Sequence, residues 1–150
     1  MTTLTRTNSE NQDFQKLIQL LDQVLQVVDG EDHGFFAQFN TVENIKNVVV
    51  YYIDGTAVGC GAFKEYSSKT IEIKRMFVHQ DYRGKGIAKE ILKELEQWAT
   101  ELNYEQSILE TGIKLENAIH LYKTQGYAQT ENYEPYINVE SSVCMKKILK

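Results

Sequence analysis

The sequence predicts an α+β fold, an α/β arrangement in three layers, in which a mixed and mostly antiparallel sheet is flanked by helices. Three observations carry this reading. Apolar residues recur at three- and four-residue steps through Phe14, Leu17, Ile18, Leu21, Val24, Leu25 and Val28, and again from Ile87 to Leu102, which is the period of an amphipathic helix. Between those stretches the period changes to β-branched and aromatic runs separated by turn residues. A single proline, Pro135, and no Gly/Ser/Pro-rich linker interrupt 150 residues, a length that fits one domain (1–150) around one core.

The elements follow in order. Thr3 to Thr7 alternates weakly and predicts a short first strand, after which Asn8-Ser9 supplies helix-capping chemistry. The first helix ends at Asp29-Gly30, and a shorter helical piece is expected around Phe35, Phe36 and Phe39. Asn47 to Ile53 reads as a strand, and Asp54-Gly55 as a type I′ turn. Thr56 to Tyr66 is a second strand, Ser67-Ser68 a second turn, and Thr70 to Val78 a third strand of an antiparallel meander. A turn from His79 to Gly86 leads into a long helix whose buried stripe is Ile87, Ile91, Leu92, Leu95, Trp98, Ala99 and Leu102. Asn103 is expected as a cap, and Ser107 to Thr111 as a buried strand, parallel to the one before because a helix connects them. A helix from about Lys114 to Gln125 stops at Gly126, and Tyr127 onward and Ser141 to Leu149 give two final strands.

Composition excludes several classes. The net charge of -5 argues against nucleic acid as a partner, since phosphates need a basic face. The opening MTTLTRTNSE is polar and predicts neither a signal peptide nor a membrane anchor, so the expected location is cytoplasmic, with no membrane partner. Cys60 and Cys144 match no metal spacing and are expected as reduced, packed thiols. The three histidines share no ligand spacing, so no metal is predicted.

The strongest local signal is the turn Tyr82-Arg83-Gly84-Lys85-Gly86-Ile87-Ala88 between a strand and a helix. Small residues let successive N–H groups point into one concavity, and the helix N-terminus behind them adds a positive dipole. Arg83 and Lys85 add countercharge in an acidic chain, so a phosphate or pyrophosphate fits there. The turn is neither GxxxxGK[ST] nor GxGxxG, because Lys89 stands three residues after Gly86. For Gly-x-Gly alone the alternative is an ordinary tight turn.

This segment resembles motif A of the GNAT superfamily of N-acetyltransferases, whose pattern Arg/Gln-x-x-Gly-x-Gly/Ala is matched by Arg83, Gly86 and Ala88. The later Ala118-Ile119-His120-Leu121-Tyr122 with Gly126-Tyr127 resembles that superfamily's A-x-x-L-Y-x-x-x-G-[FY] segment. Leu115 stands where the superfamily often has asparagine. The resemblance implies acetyl-CoA as co-substrate and no metal. It implies a sheet that splays open between the strand ending at Val78 and the strand at Ile108. The acetyl-pantetheine would meet backbone at Phe77 and Val78, and the pyrophosphate would sit on Arg83, Gly84, Lys85, Gly86, Ile87 and Ala88. The implied activity moves acetyl to a primary amine, of a small molecule, by direct attack in a ternary complex. A catalytically silent acyl-CoA-binding sensor is the alternative.

Such a transfer needs a neutral amine, a stabilised oxyanion and a protonated leaving thiolate. Tyr122 is the candidate general acid, by its match to the family tyrosine, and backbone N–H near Val78 the expected oxyanion donor. Glu72 is the candidate base, with Glu110 as competitor and ordered water as a third route. Strict alternation through TIEIKRMFV would put Glu72, Lys74, Met76 and Val78 on one face and Ile71, Ile73, Arg75 and Phe77 on the other. His120 is expected to face outward, His79 to be structural, and His33 to lie in a surface loop. Acceptor groups are expected from residues 29 to 40 and 131 to 141, among them Glu31, Asp32, Phe35, Phe36, Tyr133, Glu134, Tyr136 and Glu140. A homodimer through an open apolar edge strand at Ser141 to Leu149 is a further expectation.

Overall fold

The computed structural model describes residues 1–29 and 45–150. The helical piece expected around Phe35, Phe36 and Phe39, together with Glu31, Asp32 and His33, lies outside the described residues. The elements are β1 (Thr2–Thr7), α1 (Gln12–Asp29), β2 (Asn47–Ile53), β3 (Thr56–Ser67), β4 (Thr70–Val78), a 3-10 turn (Gln80–Tyr82), α2 (Ile87–Glu101), β5 (Gln106–Gly112), α3 (Glu116–Thr124), β6 (Ala128–Thr130) and β7 (Ser142–Ile148). The strands form one mixed sheet in the order β1-β2-β3-β4-β5-β7-β6. Among the described residues only β4 and β5 pair in parallel, and they are joined by a crossover helix, α2.

Local chemistry sets the boundaries. Two asparagines three residues apart compete to start α1. Asn8 Oδ1 accepts from Glu10 N at 2.9 Å and makes an Asx turn, whereas Asn11 Oδ1 accepts from Phe14 N at 2.8 Å and caps the helix. The cap is therefore Asn11 and not Asn8-Ser9. Asp54 and Gly55 take φ of 48° and 84°, the two positive values a type I′ turn requires. The next hairpin turns at Ser68-Lys69, one residue later than expected, because Ser67 still pairs with Thr70. Asn103 (φ 72°) and Gly126 (φ 98°) supply the left-handed residues beyond α2 and α3.

The sheet buries both faces. On one, Ile87, Ile91, Leu92, Leu95 and Ala99 of α2 pack with Tyr122 of α3 against Val49, Val58, Phe63, Ile71, Ile73 and Leu109. On the other, Phe14, Leu17, Ile18 and Leu21 of α1 pack against Val48, Val50, Cys60, Ala62 and Phe77. Gly61 lies beneath α2, where an added Cβ would stand 2.8 Å from Ile91 Cγ2 and 2.9 Å from Leu95 Cδ1. Both of those side chains are fully buried and cannot retreat. Gly61→Ala should therefore lower stability by about 1–3 kcal/mol through overpacking, read as a lower urea midpoint at constant slope.

Two expectations are corrected here. The alternation of β4 breaks at Arg75, whose φ is 59°. The register passes from Cys60↔Phe77 to Ala62↔Lys74, so two steps on β3 oppose three on β4, which is a β-bulge. Beyond it the faces exchange. Met76 and Val78 join Ile71 and Ile73 on the α2 face, Phe77 lies on the α1 face, and Arg75 reaches Asp22 of α1. Met76 and Val78 thus do not share a face with Glu72 and Lys74. Secondly, β7 is not an edge strand, because it pairs with β5 on one side and β6 on the other. The open edge expected at Ser141 to Leu149 is covered there by β6.

Candidate active site

The site grows out of an incomplete ladder. Parallel pairing of β4 with β5 runs through Thr70↔Gln106, Ile71↔Ser107 and Glu72↔Ile108 and ends at Ile73↔Leu109. Both strands continue, β4 to Val78 on β3 and β5 to Gly112 on β7, with no register between them. The last paired residues sit just before the Arg75 bulge, which bends β4 away. The result is the splayed sheet that the sequence resemblance implies.

A cavity of about 130 Å³ fills this opening. Its walls come from both layers: Leu21 and Leu25 of α1, and Leu115, Ala118 and Tyr122 at α3. Glu72, Lys74, Arg75 and Met76 of β4 face Glu110, Thr111 and Gly112 of β5 across it. The cavity therefore passes through the sheet.

The phosphate-type turn adjoins the upper end of β4. His79 N donates to Val58 O at 2.8 Å, so by ladder alternation the N–H and C=O of Val78 turn away from β3. Val78 O indeed accepts from Arg83 Nε at 2.9 Å, which fastens the turn to the strand. Phe77 lies opposite Cys60 in the ladder, and the Arg83 guanidinium rests 5.9 Å above its ring. Gly84 and Gly86 take φ of 80° and 78°, and a Cβ at either would meet no heavy atom within 4 Å. Gly86 is the N-cap of α2 and offers no capping side chain, so Ile87 and Ala88 open the helix with donors that no side-chain cap covers. Lys85 is exposed, its Nζ 5.6 Å from the Tyr82 ring. A basic turn with open space over its glycines and uncapped donors at the helix start has the groups an anionic diphosphate requires.

Charged and phenolic groups line the α1 side of the opening. Glu72 is buried, its Oε2 accepts from Tyr133 Oη at 2.7 Å, and Lys74 Nζ lies 3.6 Å away. Lys74 Nζ donates to Tyr136 Oη at 3.3 Å. Ser142 Oγ donates to Glu110 Oε2 at 2.7 Å. Burial pushes the Lys74 pKa down, opposed by the nearby Glu72 and Glu110 carboxylates. Burial and then Glu72 hold the Tyr133 phenol above its ordinary value, and burial and then Glu110 do the same for Tyr122. Both phenols stay protonated donors at neutral pH. Burial likewise pushes the Cys144 thiol up to about 11, so it is a packed, unreactive group.

The sequence-derived candidates thus divide. Tyr122, Glu72 and Glu110 line one cavity, and the Arg83–Ala88 turn adjoins the strand that forms its wall. Tyr133 and Tyr136 come to the same cluster through their hydroxyls, while Glu134, Glu140 and His120 are exposed. Sequence reasoning missed Arg75 and Asn132. Asn132 Nδ2 lies 3.1 Å from the carbonyls of Tyr136 and Val139 and 3.3 Å from that of Ser142, and so folds the β6–β7 loop inward. Nothing local marks either residue. Among the described residues no trio of His, Cys, Asp or Glu converges on one point, and no helix is long and apolar enough to cross a membrane.

Comparison with known proteins agrees with this geometry. Residues 14–127 match the model of the Acetyltransferase (GNAT) family. The IAA acetyltransferase of Azospirillum brasilense is 36% identical over 96 residues, 63% of either chain, so the match spans a little under two thirds of that relative's length. A Klebsiella pneumoniae protein proposed to be an acyl-CoA N-acyltransferase is 28% identical and superposes with a TM-score of 0.84 over 100% of this chain and 99% of its own. A GNAT-family acetyltransferase from Elizabethkingia anophelis, solved with acetyl-CoA bound, shares the fold at 16% identity, with a TM-score of 0.71 over 98% of this chain and 97% of that one.

Proposed function

This chain belongs to the GNAT family of acetyltransferases, and we propose that residues 1–150 act as one catalytic domain that moves acetyl from acetyl-CoA directly to a primary amine of a small molecule. The observation that carries this reading is the cavity through the sheet at the β4–β5 split, walled by Glu72, Glu110 and Tyr122, on the strand that leads into the glycine-rich turn and α2. Under this reading the acyl carrier enters the opening from the α3 layer and the acceptor from the α1 layer, as a ternary complex needs.

Each residue has a task under this reading. The amides and basic side chains of Arg83 to Ala88 hold the diphosphate, and the backbone of Phe77 and Val78 runs beside the pantetheine arm. The Val78 N–H, turned to the opening, donates to the developing oxyanion of the acetyl carbonyl. Glu72 draws the proton from the attacking amine, directly or through water, and Tyr133 and Lys74 hold its carboxylate in place. The amine nitrogen bonds to the acetyl carbon as the carbon–sulfur bond breaks. Tyr122 offers its O–H to the departing sulfur. Because its phenol is held above the ordinary value, it acts there as a hydrogen-bond donor that stabilises the thiolate.

The test is CoA thiol release from acetyl-CoA with a panel of primary amines, with mass spectrometry of the acceptor. Amine-dependent release with an N-acetyl product is the expected result. Acetyl-CoA at about a hundred times its Kd should also add roughly 2.7 kcal/mol of stability, a Tm rise of several degrees. A rise without release under every amine would leave a sensor in place of an enzyme, and no rise at millimolar acetyl-CoA would remove both readings.

A further inference from the structure

We propose that Arg75 forms an anion subsite in the cleft, so that the acceptor is an amine that also carries a carboxylate. This deepens the reading above and rests on it. Arg75 lines the through-sheet cavity together with Leu21 and Leu25 of α1. Its side chain is only 6% exposed, and Nη1 donates to Asp22 Oδ1 at 2.7 Å. Its Nε is buried and, among the described residues, has no hydrogen-bond partner. A guanidinium N–H left without a partner in a buried place is costly, because it forfeits its water and receives nothing in return. The backbone adds to the cost, since Arg75 is a non-glycine residue held at φ 59°. Strain and an unsatisfied donor on one residue at a cavity wall mark a group kept for a ligand. The flat edge of a guanidinium that includes Nε matches a carboxylate in a paired hydrogen bond.

The surrounding charges agree with an acceptor bearing both signs. Asp22 offsets part of the Arg75 charge from the α1 side, and the adjacent Lys74 is paired with Glu72. Glu72 and Glu110 face the same cavity and suit the amino end of the molecule. A carboxylate on Arg75 would direct the amine toward the β4–β5 opening and Tyr122. A polyamine, in contrast, would set another cation against Arg75. The ligand class is therefore a small amino acid or a comparable amino carboxylate.

The test compares kcat/KM for free amino acids, the corresponding amino acid amides and polyamines, in the wild type and in Arg75→Gln and Arg75→Lys. Acids should exceed their amides at least tenfold in the wild type. The acid-to-amide ratio should collapse toward one in Arg75→Gln, mainly through KM, and be partly kept in Arg75→Lys. A Tm rise with acetyl-CoA in each variant verifies that the fold and the cofactor site persist. If Arg75→Gln does not fold, the wild-type ratio and Arg75→Lys still decide. Amides or polyamines turned over as well as acids, or an unchanged ratio in Arg75→Gln, would overturn the subsite while leaving the acetyltransferase in place. No amine turned over, despite the Tm rise, would overturn the transferase reading and the subsite with it.

Discussion

Gly86→Glu should abolish the Tm rise with acetyl-CoA and raise the KM for acetyl-CoA about a hundredfold or more, while the protein still folds. The fold tolerates the change because a Cβ at Gly86 meets no heavy atom within 4 Å. The backbone cost is that of a non-glycine residue at φ 78°, about 1–2 kcal/mol, within the reserve of an ordinary domain. A carboxylate at the head of α2 even interacts well with the helix dipole when no ligand is present. With a diphosphate on the same amides it becomes a like charge in the same space. A hundredfold loss corresponds to about 2.7 kcal/mol, a modest value for two anions forced together over a short distance. Thermal shift and steady-state kinetics on the same preparation check both halves. A variant that keeps the full rise would remove this turn from the cofactor site.

Tyr122→Phe should lower kcat by about 10²–10³-fold, the usual range for removing one hydrogen-bond donor from a charge that develops in the transition state. Acetyl-CoA affinity should change little, because the ring keeps its place: it is 6% exposed and meets Tyr127 edge to face at 5.9 Å. The loss should appear equally in kcat and kcat/KM, as expected when an interaction made only in the transition state is removed. Kinetics with the most active amine, beside equilibrium binding of acetyl-CoA, measure this. A kcat within about threefold of the wild type would mean that the sulfur leaves without help from the phenol.

What was legible in the sequence was local. The helical stripes, the Asp54-Gly55 turn and the glycine-rich turn each depend on residues within a few positions of one another; the two turns formed as read, and the stripes did so except at their ends, where Val24 is 38% exposed and Leu102, 48% exposed, lies beyond the last turn of α2. The splay was legible only through the family resemblance, since no residue near Ile73 or Leu109 announces that pairing stops there. The bulge at Arg75 was invisible because a left-handed bulge position is normally marked by glycine, and arginine carries no positive-φ signal. The missed bulge misplaced Met76 and Val78, as a one-residue slip exchanges faces downstream. The bond from Tyr133 to Glu72 and the clamp at Asn132 join distant stretches of chain or act on carbonyls, and neither leaves a pattern. Strand order failed at β7 for the same reason, because adjacency in a sheet is a tertiary fact.

The interior place of β7 has a consequence for how the chain comes to be made. β5 and β6 both precede β7, yet β7 lies between them. All of β5, from Gln106 to Gly112, finds its second neighbour only in Ser142 to Ile148. During synthesis β1 to β4 can assemble with α1 as they emerge, since each pairs with a strand already made or next in line. The β5–β7–β6 half cannot, and until β7 arrives β5 has only its short parallel ladder to β4. The wall of the cleft that β5 provides is therefore completed last, only once Ser142 to Ile148 has been made.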